Sequence, residues 1–509
     1  MQRHRFIKRL GLSQASKRHR DAKRLNTNTA HPTLSGICTL GLGALLPLSA
    51  AAYEPTTLLG SFGQTELQQR TGDAVQTACQ QLAVTPRRDE LQNDLFERCG
   101  NMVGNAVTLS DLDLSVADLS LGWDAAAQLG AIVQTVANEE LAATKSIATE
   151  MSSGQTRAGF ARLHALRGGV RFGASMNGIS SFETTADAKS DALDPSAGQY
   201  GGSAGDSLNG AWGFFANANY SSGDRDTTAR EDGFDYDTYG ITVGTDYRMS
   251  ESSVVGGLLS YERTNTDFNA NNSFSTSPSG TPGGSVDADS WGIGLYGTHY
   301  KDNYYVDGLI GYTLTDYDLD RRIDMPLGPN PGLAAIATNR RAKGSTDAST
   351  FSISVGGGMD FSEGSLSFGP FARASYENID VDGYKESGAQ GLNLTVDGQD
   401  WDSLTTAFGG QVSYASSQDW GILGPYARLA WVHEFMNDSQ SMSAFYTADP
   451  NKNKLISITD DPDRNYFELN LGVSAVMKNG VQAFFDYQTL LDHRYVSDNS
   501  FTVGFRLEL

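Results

Sequence analysis

Apolar and polar side chains alternate strictly over the end of this chain, and this pattern constrains the fold more than any other feature. Phe501, Val503, Phe505, Leu507 and Leu509 are apolar, whereas the residues between them are polar or glycine. A period of two is typical of a β-strand with one apolar face. Similar faces recur from residue 210 onward, so we expect the last 300 residues to be built from strands.

Twelve segments of this kind are expected, and the links between them differ by parity. The segments are 210–221, 234–248, 252–268, 287–301, 303–319, 347–362, 365–381, 400–416, 420–436, 464–478, 480–491 and 498–509. Links after even-numbered segments are short, whereas most links after odd-numbered segments are long and polar, as at 269–286, 320–346, 382–399 and 436–463. Short periplasmic turns and long external loops are typical of a barrel in a bacterial outer membrane. The sequence therefore predicts an all-β transmembrane barrel of twelve antiparallel strands, because two soluble β-sandwiches would not sort their loops by parity.

Composition and charge exclude other classes of protein. No apolar run of about 20 residues follows residue 52, which excludes a bundle of membrane-spanning helices. A barrel is compatible with the ordinary hydrophobic content of 39%, since only every second strand residue faces lipid. The net charge of −22 gives no electrostatic attraction to nucleic acid.

Residues 1–52 are predicted to be a signal peptide with an extended basic region. Nine of the 38 lysines and arginines lie within the first 24 residues, and an uncharged apolar run follows at 34–48. Small residues at 49–52 suit cleavage near Ala52. The alternative is a disordered basic tail before a short buried helix.

Residues 53–153 have helical periodicity and contain both cysteines that remain after cleavage. Apolar residues follow a 3.6 period over 66–83 and over 89–107, with Pro86 between them. This favours a helical hairpin with Cys79 and Cys99 on its inner faces. In an oxidising periplasm they are expected to pair, which would stabilise the hairpin by roughly 3 kcal/mol. Two unpaired buried cysteines are the alternative. A longer helix is expected over 124–151, and a helix and linker over 154–209.

No catalytic or metal site is expected. Gly205-Asp206-Ser207-Leu208 matches the letters of a lipase or esterase nucleophile block, but no apolar strand precedes it, and the later histidines, His299, His433 and His493, all lie in the barrel region. The acidic stretches 224–237 and 316–324 are interpreted as solvated loops, the alternative being weak binding of Ca²⁺ or of cations bridged to lipopolysaccharide. We therefore expect no enzyme activity and no cofactor.

The barrel segment resembles the translocator domain of the autotransporter (type V secretion) family. Short motifs carry this resemblance by their order and spacing: Tyr376-Glu377-Asn378, Gly383-Tyr384, Asp402-Ser403-Leu404, Pro425-Tyr426-Ala427-Arg428, Trp431-Val432-His433-Glu434-Phe435, Gly472, Asn479-Gly480, Asp486-Tyr487 and Gly504-Phe505-Arg506. The resemblance implies a twelve-stranded translocator threaded by an α-helix that leads to an exported passenger.

The amphipathic stretch 155–172 is the candidate for that helix. It carries Arg157, Arg162, Arg167 and Arg171, which an acidic barrel interior would attract. The alternative is an ordinary helix of the N-terminal region. The resemblance also implies that the end of the chain, with Phe505, Leu507 and Leu509, is the signal read by the barrel assembly machinery. Leu509 departs from the pattern, because the family usually ends in an aromatic residue.

The sequence thus predicts an outer-membrane translocator that displays a short helical passenger, residues 53–153, at the cell surface. The expected partners are outer-membrane lipid and lipopolysaccharide, the barrel assembly machinery and periplasmic chaperones, with no nucleic acid. One alternative is a surface adhesin that binds through its long external loops. Others are an esterase that uses the Gly205–Leu208 block, and a simple pore whose N-terminal domain stays in the periplasm.

Overall fold

A computed structural model describes most of the chain after residue 52. The described residues are 53–111, 125–138, 143–149, 154–157, 159–160, 162–164, 212–250, 252–269, 283–325, 338–436, 438–477 and 481–508. The predicted signal peptide, the linker, Arg167, Arg171, the block at 205–208 and Leu509 lie outside them.

Twelve long antiparallel strands form a closed barrel. They are β1 (Trp212–Arg225), β2 (Phe234–Ser250), β3 (Ser253–Phe268), β4 (Gly284–Lys301), β5 (Tyr304–Met325), β6 (Thr338–Met359), β8 (Leu366–Val381), β11 (Gln399–Tyr414), β13 (Gly421–Glu434), β16 (Asn465–Met477), β17 (Gln482–Leu491) and β18 (Val496–Glu508). Two short strands, β7 (Phe361–Glu363) and β12 (Ser416–Gln418), extend its turns. Pairing of β1 with β18 closes the barrel, and the predicted fold class is confirmed.

Alternation along each strand separates an apolar outer surface from the barrel lumen. On β4 the outward side chains of Trp291, Ile293 and Leu295 are 65%, 59% and 69% exposed. The inward Ser290, by contrast, is buried. An apolar band outside and polar groups inside are what a lipid-embedded barrel requires.

Strands β5 and β6 are longer than the sequence analysis predicted. The expected loop 320–346 is largely strand, since β5 continues to Met325 and β6 begins at Thr338. The extension is stabilised because its inward side chains, Ile323, Met325 and Ala342, are buried in an apolar cluster beyond the lumen. Helical residues supply the rest of that cluster, which the strand sequence alone does not reveal.

The two long links at 382–399 and 436–463 also contain strands. Four short strands pair into a second sheet in the order β15, β14, β10, β9. They are β9 (Tyr384–Lys385), β10 (Leu394–Val396), β14 (Ser441–Tyr446) and β15 (Leu455–Ile458). We call it the loop sheet, and it lies at the end of the barrel where the long loops emerge.

Within the described part of the chain up to residue 138 there are four helices, α1 (Leu58–Ser61), α2 (Glu66–Val84), α3 (Glu90–Asp111) and α4 (Ala125–Gln134). Helix α2 begins after Thr65, whose hydroxyl accepts a hydrogen bond from the backbone N–H of Gln68 at 3.2 Å, and it ends before Pro86. Helices α2 and α3 form the expected hairpin, close to its predicted bounds. Among the described residues, no helix is both long and apolar enough to cross a membrane.

The predicted single helix over 124–151 is interrupted. Helix α4 ends at Gln134, residues 135–138 are not helical, and helical structure resumes at 143–149. Two side chains from the long-loop end of the barrel donate hydrogen bonds to backbone carbonyl groups at the break. Arg321 donates to Thr135 O at 3.3 Å, and the Tyr446 hydroxyl donates to Val136 O at 3.4 Å. These contacts stabilise a change of direction that helical periodicity does not predict.

Helices α1 to α4 and the loop end of the barrel share one apolar core. From the helices it contains buried residues such as Leu82, Leu95 and Leu129. From the loops it contains Leu394, Met442, Tyr446 and Leu455. We call the helices and the loop sheet together the cap.

Candidate functional site

The lumen of the barrel holds the helical residues that follow the cap, and their order along β3 gives their direction. Residues of 143–149 pack near Phe268, at the long-loop end of that strand. Gln155 reaches Ser260, and Phe160 packs with Leu258 nearer the short-turn end. The described residues between 154 and 164 are helical, so this segment, the lumen helix, descends from the cap towards the short turns.

Arg162 lies at the lower end of the lumen helix in a buried ionic cluster. Its Nε donates to Asp246 Oδ2 at 2.9 Å, and its guanidinium forms a salt bridge with the same carboxylate. Asp246 also accepts from the Tyr296 hydroxyl and from Arg506 Nη2, each at 3.4 Å. Arg506 belongs to β18 and Asp246 to β2, and these two strands flank β1, where the barrel closes. The Asp246 carboxylate therefore connects the lumen helix with the strands on both sides of β1.

Gln155 lies in a niche formed by residues without bulky side chains. Its Nε2 donates to Ser260 Oγ and its Oε1 accepts from Thr313 Oγ1, both at 3.4 Å. A Cβ atom on Gly292 or Gly311 would overlap the Gln155 amide. The barrel wall is therefore shaped to accept this side chain.

Apolar packing is the third kind of contact between the lumen helix and the barrel wall, after the ionic cluster of Arg162 and the niche around Gln155. Phe160 and Leu163 are buried against Leu258 and Leu309 of the wall. A Cβ on Gly159 would collide with Leu309, so the close approach of helix and strand needs glycine there. Arg157 lies higher in the lumen, where its Nη2 donates to Ser221 Oγ at 3.4 Å.

Ionic contacts attach the helices of the cap to the loops. Arg340 donates to Asp94 in bidentate geometry at 2.6 and 2.8 Å, and the backbone N–H of Gly391 donates to the same carboxylate at 3.0 Å. Burial alone would raise the pKa of Asp94, but these bonds outweigh it and hold that pKa below its ordinary value. Glu66 accepts from Arg230 Nε at 3.0 Å in a second contact.

The start of the described chain is held by Asp73 of α2. Its carboxylate accepts hydrogen bonds from the Tyr53 hydroxyl and from the backbone N–H and hydroxyl groups of Thr56 and Thr57. Burial raises the pKa of Asp73, but the hydrogen bonds outweigh burial and the pKa lies below its ordinary value. Burial and the bond to Asp73 raise the pKa of Tyr53 to about 12.

The residues singled out in the sequence fall in several places. Cys79 and Cys99 form a disulfide between α2 and α3, and Arg157 and Arg162 both lie in the lumen. Phe505 and Leu507 point outward from β18, at 52% and 42% exposure. Asp246, Gln155 and Gly311 were not singled out, although strand parity already places Asp246 on the inward face.

Among the described residues, no group of three or more His, Cys, Asp or Glu side chains is arranged to hold a metal ion. The exposed His299 pairs with Ser253 and the half-buried His433 pairs with Asn465, whereas His493 borders a cavity inside the barrel. The lumen helix meets the barrel wall through the ion pair of Arg162 with Asp246 and through apolar packing of Phe160 and Leu163.

A closed antiparallel barrel with an apolar outer face and a filled polar lumen defines an outer-membrane β-barrel protein. A family model described as "Autotransporter beta-domain" matches residues 214–488. The chain belongs to the autotransporter family, as the sequence motifs indicated, and the protein is located in the outer membrane.

Curated relatives match at low identity. The uncharacterized protein YaiT of Escherichia coli (strain K12) is 26% identical over 241 residues, which cover 46% of this chain and 21% of that protein. Esterase EstA of Pseudomonas aeruginosa is 25% identical over 222 residues, which cover 43% of this chain and 30% of that protein. The chain thus spans less than a third of the length of either relative.

Solved structures of similar barrels include two autotransporter domains. The translocator domain of NalP from Neisseria meningitidis is 15% identical with a TM-score of 0.45, covering 60% of this chain and 90% of that one. The β domain of the Bordetella autotransporter BrkA is 21% identical with a TM-score of 0.41, covering 59% and 100%.

Proposed function

We propose that this barrel carries its N-terminal helical region to the outside of the outer membrane and retains it there as a cap. The observation that supports this is the path of the chain. The helices pack on the long-loop end, the lumen helix runs down through the barrel, and β1 begins at Trp212 beside the short turns. Because long loops are external in outer-membrane barrels, the cap lies outside the cell.

Retention follows from the extent of the shared core. The cap helices bury apolar side chains against Leu394, Tyr446 and Leu455 of the loop sheet, so their removal would expose that surface to water. We therefore infer that residues 53–111 and 125–138 are a fixed part of the external surface rather than a passenger released after export. The same packing argues against loops that act alone as an adhesin, since these loop residues are buried.

The sidedness can be tested with single cysteines and a membrane-impermeant maleimide on intact cells. Val84 is 82% exposed on the cap, and Ser417 is exposed in the short strand β12 at the opposite, short-turn end. The Val84→Cys variant should be labelled on intact cells, whereas Ser417→Cys should be labelled only after the outer membrane is permeabilised. Wild type gives the background. Labelling of Val84→Cys only after permeabilisation would place the helices in the periplasm and contradict the proposal.

We infer that the lumen helix seals the pore. This inference is supported by described residues that contact the barrel wall at successive depths, namely Arg157, Arg162 and the buried Leu163. In the purified protein, Leu163→Cys should resist a bulky aqueous thiol reagent that modifies Val84→Cys rapidly. Equal reaction rates for the two variants would show that the helix is not held in the lumen.

Assembly is proposed to depend on the outward face of the last strand, where Phe505 and Leu507 would be read by the assembly machinery. Leu509→Phe restores the aromatic end that is usual in the family, and it should speed appearance of folded barrel in a pulse-chase experiment. A Glu508→Gln variant controls for any change near the terminus. Slower assembly of Leu509→Phe would mean that the assembly machinery does not recognise an aromatic end in this chain as it does in the family.

We infer no enzyme activity for this chain, although relatives include proteins named as esterases. Gly205-Asp206-Ser207-Leu208 remains the sequence to test. Hydrolysis of a short-chain ester by the purified protein that disappears in Ser207→Ala would overturn this inference.

A further inference from the structure

A cavity of about 270 Å³ occupies the part of the barrel that the lumen helix leaves open. Residues 145–147, 149, 156 and 157 border one side, and inward side chains of β8, β11, β13 and β16 to β18 border the other. Asp461 lines the cavity and is itself exposed to solvent, so the cavity communicates with the long-loop end. One water molecule needs only about 10–15 Å³, and the cavity has room for a larger guest.

Acidic groups outnumber basic groups around this cavity by eight to four. The basic groups are Lys145, Arg157, Arg225 and Arg373, and the acidic groups are Glu231, Glu377, Glu434, Asp460, Asp461, Asp463, Glu468 and Asp498. Ion pairs join Arg225 to Glu231 and Asp460, and Arg373 to Glu468. An excess of four negative charges remains, which in a sheltered space favours entry of a cation.

A second, independent observation points to a guest with hydrogen-bond capacity. Thr156 of the lumen helix lines the cavity and is only 8% exposed. Its hydroxyl has no hydrogen-bond partner among the residues that the structure describes. Because an unpaired buried hydroxyl is unfavourable, its position at the cavity wall suits a polar group of a guest.

The floor of the cavity opposes passage through the barrel. Below it lies a space of only about 40 Å³, lined by Arg157, Arg373 and Arg428 with one carboxylate, Asp486. Asp486 accepts a hydrogen bond from the Tyr426 hydroxyl at 2.5 Å. The ring centroids of Tyr426 and His164 are 4.6 Å apart. A cation drawn into the acidic cavity from outside therefore meets a narrow, basic floor and stops.

We propose that this cavity is a binding site for a small organic cation with several amino groups, a linear polyamine in chemical class. Its carboxylates are spread along the walls, and no described cluster suits a metal ion, which favours separated ammonium groups over a single compact cation. The aromatic rings of Tyr236 and Tyr466 at the wall suit the same chemistry. The proposal does not depend on the sidedness of the cap.

The test uses spermidine and isothermal titration of the full-length folded protein in detergent micelles. Saturable binding with one site is expected. The double variant Glu377→Gln, Asp461→Asn removes two wall charges and should weaken affinity by about tenfold or more. The matched control Glu363→Gln, Asp400→Asn removes the same charges from exposed positions that do not line the cavity, and it should bind like wild type.

The Thr156→Val variant distinguishes loss of the binding site from general loss of structure. The near-isosteric change should lower spermidine affinity while leaving the melting temperature unchanged or higher, since it removes an unpaired hydroxyl. The proposal is overturned if wild type shows no saturable binding. It is also overturned if the control pair weakens binding as much as the wall pair, which indicates surface charge, or if Ca²⁺ alone binds and spermidine does not.

Discussion

Arg162 and Asp246 form an ion pair inside the barrel, with side chains only 2% and 3% exposed. Removing one partner of a buried pair typically costs about 3–5 kcal/mol, because the other charge is left without compensation. In the Asp246→Asn protein, local detachment of the lumen helix should therefore become more frequent. The reaction of a Leu163→Cys probe with an aqueous thiol reagent should accelerate by more than about a hundredfold.

An exposed pair provides the control for that change. Arg263 and Asp289 are 50% and 39% exposed, and such surface pairs contribute little. Asp289→Asn should leave the probe rate as it is in the parent. An unchanged rate in Asp246→Asn as well would mean that the ion pair does not hold the helix.

The niche around Gln155 leads to a second prediction, on steric fit. In Gly311→Val the added Cβ atom would overlap the Gln155 amide, so the helix should be displaced or the barrel should assemble without it. Single-channel recording in planar bilayers should show larger and more frequent openings than wild type. Gly308→Val, on the same strand with open space around its Cβ position, should conduct like wild type. Similar conductance in both variants would argue that the niche is not needed for sealing.

The barrel was predictable because each strand carries its own information. Alternation such as Trp291, Ile293 and Leu295 on one face is local, and loop parity follows from counting. The α2–α3 hairpin was predictable for the same reason, since periodicity and Pro86 both lie within the segment.

The contacts that define the site depend on distant parts of the chain. Asp246 meets Arg162 only because strand register and helix depth bring residues 84 positions apart together. The strand β9 has two residues, too few for any period to be recognised. Ile323 and Met325 read as loop residues until the helices that bury them are known, so the cap appears only when helices and loops are considered together.

A third prediction concerns the attachment of the cap through Arg340. Its bidentate bond to Asp94 is partly buried, and hydrogen bonds to charged groups contribute about 1.5–3 kcal/mol. Arg340→Gln should therefore speed amide hydrogen exchange in α3 by about tenfold or more.

Its sequence neighbour offers a matched control. Arg341 points outward, is 58% exposed and pairs with Asp320 on the outer wall. Arg341→Gln should leave exchange in α3 unaltered. Equal acceleration in the two variants would indicate a general effect of lost charge rather than release of the cap.

The fourth prediction is an acid-sensitive attachment of the first described residues to α2. The pKa of Asp73 lies below its ordinary value of 3.8 in the folded protein, so the ionised form is bound more tightly there than in the unfolded chain. The stabilisation is fully present above the unfolded pKa and is lost as pH falls through the lowered, folded pKa. Proteolysis by pepsin near Tyr53 should therefore increase steeply below about pH 4.

Asp73→Asn separates this cause from general acid unfolding. An amide cannot accept the five hydrogen bonds that reach the carboxylate from Tyr53, Thr56 and Thr57, so cleavage should already be fast at the upper end of pepsin's working range and depend little on pH. Glu54→Gln removes a neighbouring exposed carboxylate and should keep the acid dependence of wild type. If Asp73→Asn keeps that dependence too, another group controls it, because loss of the Asp73 carboxylate abolishes the only linkage that this prediction invokes.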